Sequence, residues 1–274
     1  MGISKRLEDA RQGFKRKDAR LSAEAHDPAR IAASLAHASR EEHGGGGSEY
    51  LGSMVYGGLD GIITTFAVVS GVAGAELPAG IILILGLANL FGDGFSMATG
   101  AFLSAKSDQE FYEREREREN WEVEHFPEGE RVELFELYRA QGYPDEDAAA
   151  LVEIKSRDPK RWVDAMMVEE LNLLPSNSKP ILEALTTFGS FLIAGAVPLL
   201  VYLADLMFPF SLDQQTAFYV STGLSGLALF GLGASKVFVT QRNALRSGFE
   251  MLAVGGLAAA VAYGVGALLK GLGS

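Results

Sequence analysis

Long apolar runs alternate with strongly charged stretches along this chain. Residues 51 to 105 and 181 to 269 are apolar and rich in Gly and Ala, whereas residues 1 to 50 and 106 to 180 carry most of the charge. A helix needs about 20 mostly apolar residues to cross the hydrocarbon core of a bilayer. Five stretches meet that length, near 52 to 75, 79 to 105, 181 to 204, 215 to 236 and 248 to 269. Backbone amides cannot stay unpaired in lipid, and runs this long satisfy them as helices. The pattern predicts an all-α, five-span membrane protein with its termini on opposite sides.

The charged stretches divide the rest. Residues 1 to 49 read as a charged arm, and its end, "HGGGGS" (43 to 48), reads as a flexible linker. Residues 50 to 105 hold spans one and two, and residues 181 to 274 hold spans three to five. Between them, residues 106 to 180 predict a small helical domain. Span two continues as a helix to about 125, followed by helices near 128 to 141, 145 to 155 and 159 to 173. "FPEG", "GYPDED" and "RDPKRW" punctuate these with Pro or Gly where helices start and stop.

Charge then orients the chain. The arm carries Lys5, Arg6, Arg11, Lys15, Arg16, Lys17 and Arg20, and the link between spans four and five carries Lys236, Arg242 and Arg246. The links after spans one and three contain acids but no Lys or Arg. The positive-inside rule therefore predicts a cytoplasmic N-terminus and acidic domain, and an external C-terminus. The net charge of -11 comes largely from the acidic domain and makes nucleic acid an unsuitable partner. With no cysteine, disulfides and thiolate metal sites are excluded. The N-terminus lacks an apolar signal-peptide core. Abundant Ala and Gly without Cys hint at a bacterial plasma membrane.

Two acids lie within spans. Asp60 sits about ten residues into "YGGLDGIITTFAVVSGVAGA", and Asp93 lies mid-span in "GLANLFGDGFSMATGAFLSAKSD". A charge at mid-bilayer costs at least ~2.5 to 3.5 kcal/mol, so such residues usually face a pathway or a partner. Asp93 has an alternative role as a local polar bond at a helix crossing, flanked as it is by Gly92 and Gly94. Met97, four residues on, shares its helix face and offers a thioether that can contact a partly dehydrated transition metal.

The acidic run "DQEFYEREREREN" (108 to 120) has three readings: a solvated face, a membrane-surface spacer, or half of a metal site. At 100° per residue Glu115, Glu119 and Glu122 share one face. Arg114, Arg116 and Arg118 are interleaved and would serve ordinary surface pairing. Later helices contribute ligand types at helical spacing as well: Glu130 with Glu133 (i, i+3), and Met166 with Glu170 (i, i+4). Clustered carboxylates repel one another unless a divalent cation neutralises them. Oxygen-rich donors with one thioether tilt the choice toward ferrous iron, cobalt or zinc over magnesium and calcium.

Taken together, "DGIITTFAVVSGVAGA", "SMATGAFLSAKSD" followed by "YERERERENWEVEHFPEGE", and "DPKRWVDAMMVEELNL" resemble the vacuolar iron transporter family over residues 50 to 270. The resemblance implies a five-span homodimer that exports ferrous iron, and often manganese or other divalent ions, from the cytosol in exchange for protons. It implies pathway roles for Asp60 and Met97. It also implies metal binding by Glu119, Glu122, Glu130, Glu133 and Glu170, with Met166 and Met167 beside them. One position departs: where plant members have a glutamate early in span two, this chain has Asn89, with an acid one turn further on at Asp93. If Asp93 takes over that role, exchange survives with altered geometry; if it does not, the resemblance no longer implies proton coupling.

The expected function is secondary transport of a divalent transition metal, with no organic cofactor. The rival readings are a non-transporting adaptor with an acidic docking domain and a membrane-anchored metal sensor or buffer. No arrangement of nucleophile, base and oxyanion donors points to an enzyme.

Overall fold

The computed structural model describes residues 9–10, 12–13, 16–31, 50–176, 178–208, 212–235, 237 and 243–272. The Gly-rich linker and most of the basic arm lie outside these residues, as do Lys236 and Arg242 of the link before the last span. Among the described residues every regular element is helical: α1 (Ala19–Ala25), α2 (Leu51–Gly74), α3 (Ala79–His125), α4 (Pro127–Ala140), α5 (Asp145–Ser156) and α6 (Pro159–Ala165). A π turn (Met166–Glu170) follows, then α7 (Pro180–Gly195), α8 (Leu200–Met207), α9 (Gln214–Ser235) and α10 (Ala244–Leu269).

Five segments are long and apolar enough to cross a membrane: α2, α3, the α7–α8 segment Pro180–Met207, α9 and α10. The all-α, five-span expectation is met. Two boundaries differ from the sequence reading. The third span is interrupted by a 3-10 turn at Val197–Leu199, because Pro198 lacks an amide hydrogen and its ring clashes with the preceding turn. The fifth begins at Ala244, where the Asn243 side chain accepts hydrogen bonds from the amides of Leu245 (3.0 Å) and Arg246 (3.3 Å). That N-cap is stronger than the apolar onset four residues later.

The chain forms two compact units: Met1–Met97 with Leu185–Ser274, and Ala98–Ala184. In the first, a core of Val69, Val72, Ile82, Leu90, Phe191 and Leu199 joins the membrane helices. Apolar burial drives little helix association inside lipid, so close packing must hold the bundle. Gly57 illustrates this. A Cβ there would stand 2.6 Å from both the Thr187 carbonyl oxygen and the Ser190 hydroxyl, so α2 and α7 approach as only glycine allows.

The second unit has its own core, built from Val123, Leu134, Tyr138, Ala148, Val152, Trp162, Met166 and Met167. Its helices start on strong signals. Pro127 opens α4 with Glu128 and Glu130 in the first turn, which favours the positive end of the helix dipole. Asp158 caps α6 by accepting from the amides of Lys160 and Arg161. These starts fix which side chains of α4 and of the π turn face α3.

Candidate metal site

The acidic unit gathers carboxylates from three elements. α3 supplies Glu115, Glu119 and Glu122, α4 supplies Glu130 and Glu133, and the π turn supplies Glu170. One carboxylate oxygen from each of Glu119, Glu122 and Glu130 lies within 4.8 Å of the others. Oxygens so spaced could share one ion at the ~2.0 to 2.6 Å at which hard divalent cations are held.

Burial makes this cluster unlike a surface acidic run. Glu119 is 1% exposed and Glu130 is 5% exposed, depths at which acids are almost never found without partners. One oxygen each of Glu119, Glu130 and Glu170 is buried with no hydrogen-bond partner. Burial is the main force raising the Glu119 carboxyl to about 7; Arg118 opposes the rise, and Glu170, Glu122 and Glu133 add to it. Glu130 is likewise pushed up to about 7, by burial first and then by the charges of Glu119 and Glu133. Glu170 is raised by burial and by Glu133, against Arg118. Mutually repelling, desolvated oxygens with no donor among the described residues make a cluster suited to a divalent cation.

A residue that sequence reasoning assigned to ordinary pairing stands at the centre of this charge balance. Arg118 places Nε 3.1 Å from Glu115, Nη2 2.6 Å from Glu119 and Nη1 2.5 Å from Glu122. Glu115, held below the usual carboxylate range by hydrogen bonds from Arg114 and then Arg118, stays ionised beside it. One guanidinium thus neutralises part of the cluster. The residues outside the cluster pair locally: Lys106 with Glu110 at 3.5 Å and Gln109 with Glu113 at 3.0 Å.

The thioethers are placed differently from the carboxylates. Met166 and Met167 are fully buried and belong to the apolar core with Val123, Leu134 and Trp162. They open the π turn that ends at Glu170, in which the Leu171 amide donates to the Met166 carbonyl (3.1 Å). π turns are rare and recur at functional sites. Glu133 is exposed yet close enough for its charge to act on Glu119, Glu130 and Glu170.

In the membrane unit Asp60 is half-buried on α2 and electrostatically coupled to Asp93 of α3. Asn89 donates its Nδ2 hydrogen to Asp93 Oδ2. Asp93 itself is exposed, and Met97 packs on the core that contains Leu90 and Phe191. Asn89 and Asp93 are thus joined on α3, within electrostatic reach of Asp60, with Met97 one turn beyond Asp93.

The family model for the VIT family matches residues 51–267. The chain belongs to the VIT family. Among VIT relatives, the "Vacuolar iron transporter" of Toxoplasma gondii is 37% identical over 96% of this chain and 88% of its own length. That of Plasmodium falciparum is 32% identical over 98% of each. "Vacuolar iron transporter 1" of Oryza sativa subsp. japonica is 33% identical over 85% of this chain and 91% of its own length. The resemblance read from the motifs is borne out, and with five apolar helices this VIT family member is an integral membrane protein.

Proposed function

We propose that this chain carries ferrous iron out of the cytosol in exchange for protons, with manganese, cobalt and zinc as competing substrates. The observation that carries the metal-binding half is the set of buried, unpartnered oxygens on Glu119, Glu130 and Glu170. Relatives named as iron transporters, similar along almost the whole chain, support transport rather than storage.

In this reading the acidic unit is cytoplasmic, as the basic arm and the link before the fifth span indicate, and concentrates the cation. Asp60, Asp93 and Met97 line the membrane pathway. A carboxylate suits exchange because protonation removes the charge that holds the cation, so metal and proton compete for the same oxygens. Asn89 cannot titrate, which leaves the carboxylate of Asp93 to serve where plant members carry their glutamate.

The working form we propose is a homodimer. Asp93 lies on an exposed face of α3, and a carboxylate does not face lipid at low cost. The same helix exposes Ala88, Gly92, Ser96, Gly100 and Ser104 at spacings of four, a stripe that admits a close second helix. A second copy there would cover Asp93 and enclose the pathway. An Ala- and Gly-rich, cysteine-free composition supports a bacterial plasma membrane, although the relatives are eukaryotic and named for the vacuole.

The test is a competitive flux assay in proteoliposomes with iron, manganese, cobalt and zinc across a set pH gradient. Metal entry accompanied by proton exit supports the reading. Metal binding without flux would favour the sensor or buffer.

A further inference from the structure

A second feature of the membrane unit is unrelated to its acids. A cavity of about 860 Å³ lies between α2, α9 and α10, within the ~300 to 1,000 Å³ usual for ligand sites. Its lining is layered. At the mouth, the Glu76 carboxylate meets Lys270 Nζ at 2.5 Å, and Gln215 donates to the Tyr219 hydroxyl at 3.2 Å. Further in, about 6 Å before the end of α2 at Gly74, comes Ser70. It is 1% exposed, and its hydroxyl has no hydrogen-bond partner. Buried hydroxyls are rarely left so. Below it the walls are apolar, formed by Phe66, Leu229 and Gly256.

Depth matches one leaflet. From Gln214 to Gly226, both on the lining, α9 rises about 18 Å, against roughly 15 Å for half of the hydrocarbon core. We propose that this cavity binds one glycerophospholipid with an amine-bearing, zwitterionic headgroup. Lys270 meets the phosphate and Glu76 the ammonium. Ser70 donates to an ester carbonyl, and one acyl chain fills the apolar channel below. A wholly apolar ligand would leave Ser70 unanswered. A water-filled vestibule would leave the apolar walls wet at a cost of about 25 cal/mol per Å².

The site makes no use of the transported cation, so its test is separate from transport. The full-length protein is reconstituted in mixed phosphatidylethanolamine and phosphatidylglycerol, re-extracted in mild detergent, and its retained lipid measured by native mass spectrometry. The expected result is a single phosphatidylethanolamine per chain. Retention should fall at least about tenfold in Ala260→Trp, which fills the cavity, and several-fold in Ser70→Ala. Because the chain has no cysteine, Ala260→Cys adds a unique thiol in a minimally altered chain. That thiol should resist a charged thiol reagent in lipid vesicles and react once lipid is stripped. No retained lipid, a preference for phosphatidylglycerol, equal retention in Ala260→Trp, or rapid charged-reagent labelling in vesicles would each overturn the proposal.

Discussion

The guanidinium of Arg118 sits 2.6 Å from one oxygen of Glu119, while the other oxygen of the same carboxylate is buried with no partner. Glu119 is therefore half neutralised by an internal cation. Arg118 holds the cluster together without satisfying it, and an incoming divalent ion competes with it for Glu115, Glu119 and Glu122.

Replacing Arg118 with Gln removes that competitor. Metal affinity is expected to rise about tenfold, ~1.4 kcal/mol, while the metal-free protein loses stability because three carboxylates lose their shared counter-charge. Calorimetry with cobalt, an air-stable stand-in for ferrous iron, and metal-free unfolding midpoints read the two effects. Weaker cobalt binding in the variant would show that Arg118 organises the site rather than competing for it.

The buried pair Glu119 and Glu130 sets a pH dependence. Each has a folded-state value of about 7 against an ordinary 4.5, so between those values the folded chain holds more protons than the unfolded one. Their stabilising contribution is present below about pH 4.5 and is lost as pH rises through about 7. In metal-free protein the midpoint of wild type relative to Glu119→Gln/Glu130→Gln should fall between about pH 5 and pH 8. Saturating cobalt should restore it in wild type alone. A difference that does not change with pH would mean the two carboxyls titrate normally.

Much of this was legible in the sequence, for physical reasons that also mark where legibility stops. Apolar run length gave five spans because lipid imposes a minimum helix length. Pro198 left the run apolar, so the break at Val197–Leu199 carried no hydropathy signal. Helical spacing put Glu119 and Glu122 on one face, and Glu130 with Glu133 on another. Spacing could not distinguish Glu130, which is buried, from Glu133, which is exposed, because that depends on how α4 packs. The i→i+5 turn at Met166–Glu170 has no residue signature, and the place of Met166 and Met167 in the core followed from it. Arg118 was hidden by its neighbours: in an alternating Glu-Arg run every arginine has a nearby acid, and only the fold shows which one reaches three.

Glycine positions separate packing within the chain from packing between copies. Gly57→Leu should destabilise the monomer by ~1 to 3 kcal/mol through overpacking, since its Cβ meets the Thr187 and Ser190 atoms at 2.6 Å. A Cβ at Gly92 would meet nothing within 4 Å, so Gly92→Leu should leave the monomer folded and disrupt the proposed homodimer. Light scattering on size-exclusion peaks distinguishes these outcomes. An intact dimer in Gly92→Leu would remove this face of α3 from the interface.

In the proposed transport cycle metal crosses the membrane by way of the Asp60 carboxylate. The most direct test is ferrous iron uptake into proteoliposomes with an acidic interior, comparing wild type with Asp60→Ala at equal reconstitution. Wild type should accumulate iron with alkalinisation of the lumen, and Asp60→Ala should do neither. Undiminished uptake by Asp60→Ala would contradict that route.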